Sequence, residues 1–540
     1  MALPNLRKRS KELVQGESKQ CAQQQPALSL IDQALSTAPA FGLRVLLGET
    51  LAVPLLREAL SCALTTLPQF SGRLQESKDG RTYDVACTNE GARLVVYSTS
   101  ASLSQLQEAM DEATGSGLGG EPWAKKTFPT DPSAVARKRR PLLSVFGVYL
   151  SGGGTLLCIK CMHALADFEA LQTFASHFSA AYNDILCRAS PDAYARAEGE
   201  GGAGGKSGKT EAAAAHGAPT PSVSADGRAV ITPGRVLLRT QPPPDRRSPM
   251  FDPARVEALA LEELPPGVPP LDGAVEMSNA GKMRIVMRAV KHLLLRGGGS
   301  EDRSLYFSPD TLAALKRRAN AELTEERARE GPGGPLAGVE WVSSNDALVA
   351  RLMQLLHSAP IRRPHPMTLL RATNMRPRLE PPLPVGFLGN AVEPLRSGGL
   401  MPADLSLGRL AGLLRRDLTR QAVAHVRRRV WELRRWAAEG TQGAANLMFR
   451  SVAETEPTLS VLAPEGPISI TSQSVKPGLW QFGPDPLLCI SPVMPPFPNI
   501  FILAPAVKGG MALRMTLHRC VWRQLDALFP PSQGGLAAAF

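Results

Sequence analysis

Between about Arg188 and Gly299 the chain changes character. Gly199-Glu200-Gly201-Gly202-Ala203-Gly204-Gly205 leads into an alanine run, and two proline clusters follow at Pro242 to Pro244 and Pro265 to Pro270. A segment of this composition buries too little apolar area to offset the entropy of ordering it. A chain interrupted in this way has to build its cores on either side. At 540 residues there is enough sequence for two core-sized units. We therefore expect an N-terminal domain over 1–187, a disordered crossover over 188–299 and a C-terminal domain over 300–540.

Both flanks read as mixed α and β. Ala27 to Gln33 looks like a capped start, Val53 to Leu67 has helical periodicity up to Pro68, and Gly72-Arg73-Leu74 turns into a strand. Two strand-like runs, Pro141 to Leu150 and Thr155 to Met162, are joined by Ser151-Gly152-Gly153-Gly154 as a hairpin. Phe168, Leu171, Phe174, Ala175 and Phe178 then recur at helical spacing. Beyond the crossover, Ser304 to Phe307 reads as a strand and Ser308-Pro309-Asp310 opens a helix. Asn345 to His357 is helical, Met367 to Asn374 strand-like, Leu407 to Ala438 a long helical region, and Ile468 to Leu517 alternates strands with Gly/Pro turns. The expectation is α+β: two similar domains, each a mixed sheet with flanking helices.

Hydrophobic residues make up 43% and charged residues 20% of the chain, the balance of a globular protein. The formal charge of +12 favours an anionic partner without choosing one. Much of the excess sits in Arg137 to Arg140 and in Arg427 to Arg435. The second stretch carries an apolar stripe, Val423, Val426, Val430 and Leu433, and so reads as an amphipathic helix rather than a nucleic-acid site. Aromatic residues are 5% of the chain and form no stacking platform. Gly205-Lys206-Ser207 and Gly208-Lys209-Thr210 resemble fragments of a phosphate-binding loop, but the glycine expected five residues earlier is Glu200 or Ala203. The one CxxC, Cys158-Ile159-Lys160-Cys161, lies in a strand that would send its thiols to opposite faces. Reduced buried cysteines, a cytoplasmic location and no metal site follow from that reading. No apolar run is long enough to span a bilayer, and Met1 to Gln15 lacks the apolar region of a signal peptide.

Chemistry concentrates in Cys161-Met162-His163-Ala164-Leu165-Ala166-Asp167, where a histidine and an aspartate stand four apart at a strand-to-helix turn. HxxxD alone is common by chance. A second segment adds to it: Asn374-Met375-Arg376-Pro377-Arg378, then Pro381-Pro382-Leu383-Pro384-Val385-Gly386-Phe387-Leu388-Gly389-Asn390-Ala391-Val392. With Leu28 to Gln33, Pro68 to Leu74, Ser343 to Leu348 and Ile470-Thr471-Ser472 in the same order, the chain resembles the BAHD acyltransferases of the coenzyme A-dependent superfamily, of plant, algal or fungal type. The resemblance covers most of the sequence outside 188–299.

That resemblance implies two chloramphenicol-acetyltransferase-like domains and a monomer of secondary metabolism. It implies a reaction between acyl-coenzyme A, as co-substrate, and a small-molecule alcohol or amine, with no permanently bound cofactor. His163 would be the general base and Thr471 a candidate oxyanion donor. Asp167 would have an orienting role through an ion pair with Arg376. Arg376, Gly389, Asn390, Phe482 and Gly483 would be architectural. A free imidazole titrates near neutral pH, which suits it to take the acceptor's proton during attack on a thioester.

Departures from the family pattern bear on these expectations. The DFGWG signature is Gln481-Phe482-Gly483-Pro484-Asp485 here, the glycine after HxxxD is Phe168, and the tryptophan of TSW is Gln473. The alternative is a catalytically silent relative that keeps the fold as a binding or interaction protein. A doubled histidine, as in the peptide-condensing domains of the superfamily, is ruled out by Met162.

Overall fold

The computed structural model describes residues 5–17, 28–36, 40–77, 83–111, 132–189, 299–379, 381–383, 387–420, 468–472, 487–493, 498–506 and 509–540, with short pieces at 222–223, 229–230, 427–428, 430–431, 433–435, 464, 466 and 482. The crossover expected over 188–299 lies almost wholly outside them, as do the phosphate-loop fragments, Gln473 and Gly483.

In the N-terminal half, β1 (Arg7–Val14), β2 (Phe41–Leu47), β5 (Ala92–Ser102), β6 (Leu143–Ser151) and β7 (Thr155–Cys161) form a mixed sheet, with a small separate hairpin of β3 (Arg73–Glu76) and β4 (Tyr83–Ala86). The β6–β7 hairpin turns on Gly152, Gly153 and Gly154, whose φ values of +80°, +110° and +95° are strained for any residue with a Cβ. Two helices cover one face of the sheet. Helix α2 (Val53–Thr66), which follows the short capped helix α1 (Leu30–Ala34), buries Leu56, Ala59, Leu60, Ala63 and Leu64, the i, i+3, i+4, i+7 stripe of one helical face. Helix α5 (Phe168–Ala189), third after α3 (Leu103–Asp111) and α4 (Pro132–Arg137), buries Leu171, Phe174, Phe178 and Tyr182 against the same core.

The second sheet is built from β8 (Ser300–Phe307), β9 (Met367–Asn374), β10 (Val392–Leu400), β11 (Ile468–Ser472), β13 (Ile500–Pro505) and β14 (Met511–His518). Its spatial order is β8-β14-β13-β11-β9-β10, with parallel pairing where β11 meets β9 and β13. Helices α6 (Pro309–Glu330), α7 (Ser344–His357) and α8 (Leu407–Arg420) pack on it through Leu315, Leu323, Leu348, Leu352, Leu410 and Leu414, and α9 (Arg519–Leu528) through Trp522 and Leu525. The two halves therefore share one plan, a mixed sheet backed by helices. Val430 and Leu433 are buried among Met375, Leu379 and Leu395, so the arginine-rich stretch carries a packed stripe there. Val423 and Val426 lie outside the described residues.

The boundary between the halves is not a cut in sequence. Strand β12 (Leu487–Val493) pairs antiparallel with β2 and completes the first sheet in the order β1-β5-β6-β7-β2-β12. Phe482 is fully buried in the N-terminal core, its ring 5.1 Å from Phe178 and 5.8 Å from Tyr182. Within the span 300–540, residue 482 thus packs in the first core and strand 487–493 pairs into the first sheet. β2 is buried along its whole length, which is why its run of apolar residues has no strand periodicity to read. β1 is a charged edge strand whose alternation is partly masked by Lys and Arg stems.

Because Phe482 fills the first core from the far end of the chain, Phe482→Ala should destabilise the N-terminal half by about 3 to 5 kcal/mol. Denaturant unfolding followed by a probe in each half should show the loss first in the N-terminal transition. An unchanged midpoint there would mean that residue 482 does not anchor that core.

Candidate active site

His163 follows β7 directly. Met162 donates its amide to the Leu142 carbonyl at 3.0 Å and Leu165 donates to the Met162 carbonyl at 3.0 Å, which bends the chain sharply between β7 and α5. The imidazole lies against the Phe41 ring at the start of β2, with centroids 4.7 Å apart, and stays partly exposed.

Its tautomer follows from its neighbours. Nδ1 of His163 is 3.1 Å from Oδ1 of Asn390. The Asn390 amide cannot be turned over, because its Nδ2 lies 2.7 Å from Oδ1 of Asp32 and 2.7 Å from the His163 carbonyl oxygen, two acceptors that use both of its N–H bonds. Oδ1 of Asn390 can only accept. Neutral His163 therefore carries its proton on Nδ1 and keeps a lone pair on Nε2. Burial holds its pKa below the ordinary histidine value, although hydrogen bonds and the Asp167 charge act the other way. The ring is neutral at physiological pH.

Asp32 fixes Asn390 in turn. This buried carboxylate accepts from the Asn390 backbone N–H at 2.8 Å and from its Nδ2 at 2.7 Å. It also accepts from the Ser29 backbone N–H at 3.0 Å and from Ser29 Oγ at 2.6 Å. Ser29 and Asp32 form the capping box of α1. Burial outweighs these four bonds and pushes the Asp32 pKa up to about 6, still below neutrality, so the carboxylate is ionised at pH 7. Asp32 was visible in the sequence only as the third residue after a Ser N-cap. Its contact with Asn390, 358 positions away, left no local signal.

Asp167 faces away from this relay. Its oxygens accept from Arg376 Nη1 at 2.7 Å and Nη2 at 2.9 Å, from the Ala391 N–H at 2.9 Å and from the Ala170 N–H at 3.0 Å, the last capping α5. Arg376 also donates from Nε to the Phe387 carbonyl and from Nη2 to the carbonyls of Phe387 and Gly389. A Cβ on Gly389 would come within 2.9 Å of the Phe387 ring, so this wrap around Arg376 needs a glycine. The turn that presents His163 is thus bound to the loop that carries Asn390.

Thr471 lies on β11, paired in register with Ala372 and Ile502, and its hydroxyl has no hydrogen-bond partner among the described residues. No hydrogen bond joins it to His163. Cys158 and Cys161 form no disulfide and are buried in separate core clusters on the two faces of β7. Among the described residues no three His, Cys, Asp or Glu side chains are grouped to hold a metal, and no helix is long and apolar enough to cross a membrane.

The profile of the Transferase family matches residues 6–192, the half that contains HxxxD and the β6–β7 hairpin. That match covers about a third of the chain. Over 110 residues it is 39% identical to the O-acetyltransferase anaAT of Neosartorya fischeri, a match covering 18% of this chain and 22% of that protein. The chain thus spans about a fifth of the length of the curated relative it matches. Among solved structures, TRI101 of F. graminearum complexed with ethyl coenzyme A shares the fold with a TM-score of 0.61 and 14% identity, over 93% of this chain and 97% of that one. Vinorine synthase does so with a TM-score of 0.55 and 17% identity, over 96% of each chain. The likeness of fold therefore extends across both halves, beyond the profile match.

Removing Arg376 would leave a buried carboxylate unpaired across the two halves, at a cost on the order of 3 to 5 kcal/mol. Arg376→Ala should therefore unfold at markedly lower denaturant, and Arg376→Lys should recover only part of the loss, since an ammonium cannot make the bidentate contact. Full stability of Arg376→Ala would overturn this architectural role.

Proposed function

We propose that the chain is an acyltransferase that moves an acyl group from a coenzyme A thioester to the hydroxyl of a small-molecule acceptor, with His163 as the general base. The observation that carries this reading is the Asp32–Asn390–His163 relay. It places the proton of a neutral imidazole on Nδ1 and leaves Nε2 free to accept one. The name of the anaAT relative supports a hydroxyl over an amine, and acetyl as the first acyl group to test.

In this reading Nε2 takes the acceptor's proton as its oxygen attacks the thioester carbonyl carbon, forming a tetrahedral oxyanion. Collapse breaks the carbon–sulfur bond, and the departing sulfur takes the proton from Nε2, which restores neutral His163. The free hydroxyl of Thr471 is the candidate donor to the oxyanion. Asn390 holds the imidazole through Nδ1 and is a positioning residue, as is Asp32 behind it. Asp167 and Arg376 set the turn and take no part in proton transfer.

Release of free coenzyme A across a panel of acyl thioesters and alcohols tests the activity; no release with any pair would favour a silent binding protein. His163→Ala should lower turnover by roughly 10² to 10⁴-fold with the fold intact. Retention of more than about a tenth of the rate would remove His163 from the mechanism. The pH profile follows from the depressed pKa of His163: kcat/KM should be flat at neutral pH and fall on acidification only below the ordinary histidine range, as Nε2 becomes protonated. Asn390→Ala should reduce kcat by about 10-fold or more and move this acid limb, because the ring then loses its fixed tautomer. A mutant with a lower rate but an unmoved limb would leave Asn390 purely architectural.

A further inference from the structure

Asn390 holds the His163 imidazole by one atom, Nδ1. The χ2 torsion of a histidine is broad, so one bond at Nδ1 restricts the ring without fixing its plane. Nε2, on the far side of the ring from that bond, is the atom such a swing displaces. A base that must meet one acceptor hydroxyl needs a second constraint.

Phe41 supplies one. Its ring centroid lies 4.7 Å from that of the imidazole, at an interplanar angle of 47°, within the range of a true aromatic pair. Rotation of the imidazole about χ2 would drive its edge against this ring. A stop of this kind has to be fixed itself. Phe41 is 4% exposed and belongs to the N-terminal core. It opens β2 and pairs antiparallel with Cys161, two residues before His163, so both rings leave neighbouring strands at one level. At the next position a Cβ on Gly42 would meet the Ile159 carbonyl oxygen at 2.5 Å and Lys160 Cγ at 2.9 Å. β2 and β7 therefore run too close here for Phe41 to slide along its neighbour. Hydrocarbon against one imidazole face also keeps water from it, the same direction as the depressed His163 pKa, whose first cause is burial.

We infer that Phe41 is a positioning residue for the general base: it sets the plane of the imidazole that Asn390 holds by one atom, and so gives Nε2 a single direction from which to take the acceptor's proton. This rests on the reading of His163 given above. It adds a residue outside every segment that carries the family resemblance.

The test compares Phe41→Leu, which keeps an apolar side chain in the core and removes the ring, with Phe41→Tyr, which keeps the ring. In Phe41→Leu, kcat should fall about tenfold or more with KM for both substrates unchanged, the effect of a misaligned base. The acid limb of kcat/KM should also move up toward the ordinary histidine range as water reaches the uncovered face. The charged groups around the ring, Asp167 with Arg376 and Asp32 behind Asn390, are the same in both variants, so the limb reports the ring contact. Phe41→Tyr should keep the wild-type limb and most of kcat. Independently of turnover, the Hε1 resonance of His163, assigned with His163→Gln, should lose its ring-current displacement in Phe41→Leu, while the proton stays on Nδ1. A lower kcat with an unmoved limb, or an unmoved resonance, would make Phe41 a packing residue and overturn the assignment. Unchanged kcat in Phe41→Leu of an active enzyme would sink the assignment alone. A wild-type chain that turns over no thioester would sink the general-base reading and this role with it, even with the resonance displaced as expected.

Discussion

Everything near His163 hangs on one buried ion pair. Asp167 and Arg376 come from opposite halves of the chain, 209 positions apart, and meet in bidentate geometry with both side chains nearly sealed from solvent. Isolated in that environment either charge would be prohibitive. Paired, and with the remaining lone pairs and N–H bonds taken up by Ala170, Ala391, Phe387 and Gly389, they bind the His163 turn to the loop that supplies Asn390. The ion pair holds two segments so that a third interaction, the Asn390 hydrogen bond to His163, has a fixed geometry.

The site therefore works as two chains of contacts that cross at one loop. One runs from Arg376 through Asp167 to the helix cap behind His163 and carries mechanical load. The other runs from Ser29 through Asp32 and Asn390 to Nδ1 and carries information about where the proton sits. Residues 389 and 390 belong to both. Gly389 gives its carbonyl to the first and Asn390 its amide to the second. Two adjacent residues with different tasks explain why Gly-Asn occurs here as a pair: the glycine lets the backbone approach the Phe387 ring, and only an amide can both donate twice and accept once.

Local patterns in the sequence were enough for the hairpin, the helices α2, α5, α6 and α7, strand β9 and the HxxxD turn, because each is written in nearby residues: glycines at positive φ, apolar stripes and N-cap serines. What was not legible is what depends on distant partners. Nothing around Asn390 says that it faces a histidine rather than simply filling a loop. Asp32 reads as an ordinary helix cap until its second pair of donors is seen. The run at 40–47 hides its strand character because both of its faces are covered, and the fully buried β2 has an outer neighbour, β12, from the other end of the chain.

That outer neighbour has a consequence for biosynthesis. Residues up to Ala189 contain five of the six strands of the first sheet, but the sixth is not made until the ribosome has added ~300 more residues, on the order of 15 to 60 s of translation. Throughout that interval β2 presents an open hydrogen-bonding rim beside an unfilled gap where Phe482 belongs, and an exposed apolar rim invites pairing with other nascent chains. The first half of the polypeptide therefore cannot complete its sheet and core until its own C-terminal region emerges.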